Sequence, residues 1–90
     1  MNEDMKRRIE RMASRTWDAI GDDCLVNEDG MPDESVTLPR DHVIEIVCDA
    51  DYMSMYGHDE EAYKTWKALP SYEEKLAVIR GAFPCKTYGW

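Results

Sequence analysis

PRDHVIEIVCDADYMSMYG, residues 39–57, is the stretch on which the fold turns. Its centre, HVIEIVC, is rich in β-branched residues and invites a strand assignment. A helix from about 39 to 56 accounts for more of it. Pro39 has no N–H to lose in a first turn, and Gly57 suits the end. Val43, Ile44, Ile46, Val47, Ala50, Met53 and Met55 then spread over more than half the circumference, marking a central element touched from several sides. Asp51 projects into that arc between Val47 and Met55. A buried, unpaired carboxylate is too costly to expect there. Asp51 should therefore pair with an Arg or Lys, cap a following turn, or mark a break near Ala50.

Working outward, residues 3–20 read as a helix. Asn2 is its N-cap, and Met5, Ile9, Met12, Ala13, Trp17 and Ile20 form one stripe at helical period. Gly21 stands where a terminating glycine belongs. Glu3 with Arg7 and Asp4 with Arg8 are i,i+4 pairs in the favourable order. A third helix over about 59–69 presents Ala62, Tyr63, Trp66 and Leu69 on one face and stops at Pro70. A fourth opens on SYEE, residues 71–74, a capping box, and continues through Tyr72, Leu76, Ile79 and Phe83. The tail FPCKTYGW is too aromatic for a free end, so Phe83, Tyr88 and Trp90 are expected to pack back on the bundle. Within the connector, CLV (24–26) is expected to pair with SVTL (35–38). The predicted fold is all-α: one domain over 1–90, a small four-helix bundle with a long acidic connector (21–38) and an aromatic C-terminal tail.

The chain has 90 residues, with three Trp, five Tyr and six Met. A chain of this size buries roughly 60–65% of its unfolded surface, enough to fold without a metal or a disulfide. Its three cysteines cannot all pair within one chain. Met1 runs into the charged, helical NEDMKRRIERM rather than the apolar core of a signal peptide, and no run approaches the ~20 apolar residues of a membrane span. A reducing cytoplasm is the expected location.

The net charge of −8 is unevenly spread. Residues 21–35, GDDCLVNEDGMPDES, hold six acids and no Lys or Arg, and residues 36–57 add four acids against Arg40 alone. Duplex nucleic acid is disfavoured as a direct ligand, because neutralising phosphate supplies most of such affinity. A basic protein partner is favoured.

Metal and catalytic readings fare poorly. With Gly30 at the sixth position of a calcium loop, Leu25 and Val36 fall where the loop needs oxygen ligands. In the frame that starts at Asp49, Met53 and Ser54 take the fifth and sixth positions. Cys24, Cys48, Cys85, His42 and His58 lack the close pair spacing of zinc sites. No cofactor is implied, and no local signature supports a Cys–His–Asp nucleophilic triad.

Three surfaces remain as candidates. Asp22, Asp23, Glu28, Asp29, Asp33 and Glu34 in the connector form either a solvated turn or an acidic recognition surface. Glu45, Asp49, Tyr52 and Tyr56 share the remaining face of the second helix, which suits docking because exposed aromatics are enriched at interfaces; the tail could cover the same tyrosines. Arg7, Arg8, Arg11 and Arg15 lie opposite the apolar stripe of the first helix. They form a solvated face, dock on residues 22–34, or hold the phosphates of a nucleotide or of RNA.

In its size, acidity and lack of an enzyme signature, the chain resembles the small accessory proteins of bacteriophages and mobile elements, many of which block a host protein. The expected function is a non-enzymatic protein-binding module, an inhibitor that occupies a basic, nucleic-acid-binding type of surface on its partner. The alternatives are an oligomeric sponge for an anionic nucleotide, through the arginines, and a structural homo-oligomer subunit built on the broad apolar second helix.

Overall fold

A computed structural model describes residues 2–89, and its first helix, α1, spans Glu3–Cys24. Asn2 caps it, its side chain accepting from the Met5 amide at 2.8 Å, and Glu3 and Asp4 favour the positive end of the helix dipole. Ile9, Met12, Ala13, Thr16, Trp17, Ile20 and Gly21 are buried, each followed by another three or four residues on until the stripe ends. Thr16, the polar member, donates to the Met12 carbonyl at 2.8 Å.

Gly21 does not end the helix. It lies buried inside it, and the Leu25 N–H donates to its carbonyl at 3.0 Å. A helical glycine costs about 1 kcal/mol against alanine. The apolar stripe outweighs that cost by running on through Ile20 and Gly21 to Leu25, which is itself buried. Asp22 and Asp23 are therefore helical residues rather than part of a loop.

The connector makes a tight hairpin, in a different register from the expected one. The Asn27 side chain accepts from the amides of Asp29 and Met31, Gly30 turns with φ 78°, and Val26 bridges Pro32. Strand β1, Leu38–Pro39, pairs antiparallel with the tail strand β2, Thr87–Tyr88, so the end of SVTL meets the C-terminal segment rather than CLV. Tyr88 packs edge-on to Trp17 and Phe83, with ring centroids 6.3 and 5.4 Å away. The tail thus packs back on α1 and Phe83. Trp90, part of the same expectation, lies outside the described residues.

HVIEIVC is helical. Helix α2 spans Arg40–Cys48, with Pro39 just before it and Val43, Ile44 and Val47 buried, a helical rather than an alternating pattern. The predicted continuous helix breaks at Ala50 and Asp51, which take left-handed conformations in succession (φ 49° and 55°) within a 3-10 turn. Helix α3, Tyr52–Tyr56, resumes in a new direction and buries Met53. The break removes Asp51 from the apolar arc and leaves Met55 exposed. Two of the outcomes expected for Asp51 thus occur together, since its carboxylate also pairs with Lys67 at 2.7 Å.

Helix α4, Glu60–Lys67, is capped by Asp59 and buries Ala62 and Trp66. Helix α5, Tyr72–Arg80, is capped by Ser71, whose hydroxyl accepts from the Glu74 amide at 3.1 Å. Ile79 and, beyond the helix, Phe83 reach the core, whereas Tyr72 is 57% exposed and does not. The architecture is a small all-α bundle in which α1 packs against α2, α3, α4 and α5, with one two-stranded sheet at the joined ends of connector and tail. No helix among the described residues is long and apolar enough to cross a membrane.

Replacing Tyr88 with Ala should lower stability by about 1.5–3 kcal/mol, the value of burying a large aromatic side chain. Urea denaturation would read the loss; an unchanged midpoint would show that the tail contributes nothing to the bundle.

Candidate functional site

The arginine stripe divides into two functions. Arg8 reaches across to the turn between α3 and α4 and grips Asp59 in a fork, Nε to Oδ2 at 2.9 Å and one terminal nitrogen to Oδ1 at 2.6 Å. Its other terminal nitrogen lies 3.5 Å from Glu61. Arg15 donates to the Gly57 carbonyl at 3.1 Å. Both therefore hold the segment 57–59, where His58 has a left-handed φ of 56° and Gly57 sits against Met12 so closely that an added Cβ would lie 2.3 Å from its Cγ. Arg8 pairs with Asp59 and Glu61 instead of the Asp4 expected from spacing, and Arg15 bonds to Gly57 instead of docking on residues 22–34. Arg7 and Arg11 stay exposed and line a shallow groove with Glu10, Ser14 and Ala82.

Asp59 has two duties. Its Oδ1 also accepts from the Ala62 amide at 3.2 Å, capping α4. The bond from Arg8 holds its carboxyl below the usual carboxylate range against an opposing effect of desolvation, helped by the Ala62 amide. Asp51 is lowered in the same way, first by Lys67 and then by the Tyr63 hydroxyl, which donates to it at 2.9 Å. These acids stabilise turns and are not free for a ligand.

The connector acids differ. Asp22 and Asp23 project from the last turn of α1, where the helix dipole is negative and no basic residue stands. Glu28 and Asp29 are exposed at the hairpin tip, and Glu34 is exposed just beyond it. Asp33 is half-buried, and bonds from the Ser35 hydroxyl and amide hold its carboxyl low. Asp22, Asp33 and Glu34 border one groove with Leu25 and Pro32. Among the described residues, none of these six acids forms an ion pair. Met31, at the same tip, is 61% exposed.

The grouping of Glu45, Asp49, Tyr52 and Tyr56 on one helix face assumed an unbroken helix, and the break at Ala50 and Asp51 removes that assumption. Glu45 and Asp49 line a groove with Tyr72 of α5, while the rings of Tyr52 and Tyr56 lie 6.4 Å apart on α3. The spacing of Tyr72, Leu76, Ile79 and Phe83 puts Tyr72 in line with the apolar side of its helix, yet it is exposed. Its position at the first residue of α5, just after the cap, was the signal that it could face outward instead.

The three cysteines are free thiols. Burial pushes the half-buried Cys48 thiol up to about 12, which disfavours the thiolate form. Among the described residues, no group of three or more His, Cys, Asp or Glu is placed to hold a metal ion.

Asp59→Ala should destabilise the protein by at least about 1 kcal/mol, since it removes a helix cap together with the partner of Arg8. Because the folded pKa of Asp59 lies below its unfolded value of about 3.9, its contribution is complete above that pH and is lost as pH falls through the lowered folded value. Urea midpoints of wild type and Asp59→Asn measured from pH 7 to pH 2 should converge toward the acid end. A constant gap across that range would mean that the charge of Asp59 contributes nothing.

No family model matches this chain, and no curated protein or solved structure matches it either, so the chemistry of its own surfaces carries the functional reading.

Proposed function

We propose that this protein is a small acidic binding module that acts without catalysis, in the cytoplasm, by occupying a basic surface on a partner protein and blocking it. The surface it covers on the partner would be of the kind that otherwise holds nucleic acid. One observation carries the reading. Six acids at one end of the molecule, Asp22, Asp23, Glu28, Asp29, Asp33 and Glu34, have no ion-pair partner among the described residues, and the sequence has no Lys or Arg between Arg15 and Arg40. Such a patch repels itself in the free protein and is relieved when a cationic surface arrives. The hairpin at 25–33 is pinned by its own hydrogen bonds, so the acids on it are presented with little ordering cost on binding.

The sponge reading, a nucleotide phosphate held by the arginine stripe, has weaker support, because Arg8 and Arg15 are committed to Asp59 and Gly57. Only Arg7 and Arg11 remain for an anion. A homo-oligomer through the second helix loses its broad apolar face to the break at Ala50 and Asp51.

Changing all six acids to Asn or Gln should leave the fold intact and slightly more stable, since two of them oppose the dipole of α1. Association with a partner recovered by affinity capture should slow by about tenfold or more at low salt, and its salt dependence should flatten. Adding the wild-type chain should displace nucleic acid from that partner. Equal association rates for wild type and variant across a salt titration would remove the acidic end from the function.

A further inference from the structure

A groove separate from the acidic end runs between the C-terminal turn of α2 and the start of α5. Glu45 and Asp49 stand one turn apart on its α2 side, Tyr72 forms the opposite wall, and Ile46 and Cys48 complete it with His42, an open groove of about 360 Å³. Both carboxylates are exposed, and among the described residues neither forms an ion pair. One Asp49 oxygen accepts from the Ala50 amide at 2.9 Å, which fixes the carboxylate and leaves its other lone pairs open. The last turn of α2 carries no basic residue, so the negative end of its dipole adds to the same potential. Lys75, the basic residue whose charge reaches the Cys48 thiol, keeps its own ammonium 5.8 Å from the Trp66 ring centroid.

Tyr72 gives the groove its chemistry. Its ring is 57% exposed although it sits beside Ile46 and Cys48, and partial burial, followed by the charges of Cys48, Glu45 and Asp49, pushes its phenol up. An aromatic face with two uncompensated carboxylates beside it is complementary to a flat cation. A guanidinium can stack on the ring and donate in the plane to carboxylates, which a compact ammonium cannot do as well.

We propose that this groove receives one arginine side chain of a basic protein partner, stacked on Tyr72 and hydrogen-bonded to Glu45 and Asp49. The assignment rests on the reading of the protein as a binder of basic surfaces, and it names a contact distinct from the acids of residues 22–34.

A heteronuclear NMR titration of the whole chain with N-acetyl-arginine amide tests it, with the uncharged isostere N-acetyl-citrulline amide and with N-acetyl-lysine amide as comparisons. Arginine amide should shift the amides of residues 42–49 and 72 in a saturable way. The double variant Glu45→Gln/Asp49→Asn should weaken that binding by about tenfold, from the loss of charge-assisted bonds. Tyr72→Ala should weaken it by about two- to fivefold, the worth of an exposed cation–π contact. All three positions are exposed, and unchanged melts of the variants would verify their folding. Equal shifts with citrulline amide would overturn the proposal, as would shifts confined to residues 22–34. An equal response to lysine amide would overturn the guanidinium assignment. The variant with the six acids of residues 22–34 neutralised should still titrate normally at the groove. A silent groove combined with salt-sensitive partner binding would remove this site and leave the acidic-end reading intact, whereas a working groove with partner binding indifferent to those six acids would do the opposite.

Discussion

The apolar stripe of α1 is longer than any neighbouring element can cover, and the rest of the chain is arranged around that constraint. With 22 residues, α1 is about 33 Å long at 1.5 Å per residue. Helices α2, α4 and α5 have nine, eight and nine residues, and α3 has five. The stripe must therefore be covered in pieces, with sharp reversals between them. Two of those reversals place non-glycine residues in left-handed conformations, Ala50 and Asp51 in one and His58 in the other. Each such residue costs on the order of 1–2 kcal/mol. Polar groups from elsewhere in the chain hold them there. Tyr63 and Lys67 of α4 converge on Asp51, while Arg8 and Arg15 of α1 converge on Asp59 and Gly57. The polar side of α1 thus fixes the turn at residues 57–59, and α4 fixes the one at Ala50 and Asp51, so that the chain can cover the apolar side of α1.

What could be read from the sequence follows the range of the interactions involved. The Asn2 and Ser71 caps, the stripe of α1 and the helical pattern of Val43, Ile44 and Val47 depend on residues three or four apart, and local spacing reveals them. The break after Cys48 was visible only as a contradiction, a carboxylate in an apolar arc, because alanine gives no signal for a left-handed conformation. The fork between Arg8 and Asp59 joins residues 51 apart, and charge pairing by helical spacing pointed to Asp4 instead. Gly21 misled for a related reason: a glycine stops a helix only where the stripe also stops. The sheet between Leu38–Pro39 and Thr87–Tyr88 brings the connector to the tail, and two-residue strands have no periodicity to detect.

The candidate surfaces were legible to different degrees. The acids of residues 22–34 are recognisable from composition alone, because the absence of basic residues between Arg15 and Arg40 precludes local pairing whatever the fold. The groove beside Tyr72 was half visible. Glu45 and Asp49 share a helix face in the sequence, but the tyrosines expected beside them are Tyr52 and Tyr56, and only the packing of α5 against α2 brings Tyr72 there instead.

The two acidic surfaces differ in what their geometry can contribute to recognition. In the proposed role, acids spread over the end of α1 and the hairpin would act through a field that extends about 8 Å at physiological salt, speeding and orienting encounter without choosing a particular group. In the proposed contact, the exposed pair of carboxylates beside Tyr72 would act only at close range, where hydrogen-bond direction discriminates one cation from another. A chain of net charge −8 bears self-repulsion in its folded state. Its basic residues could have been placed to relieve that repulsion. Several of them are used instead to hold turns, Arg8 and Arg15 at residues 57–59 and Lys67 at Asp51. Three of the eleven Lys and Arg residues are thereby held at turns of the fold and do not screen the negative surfaces.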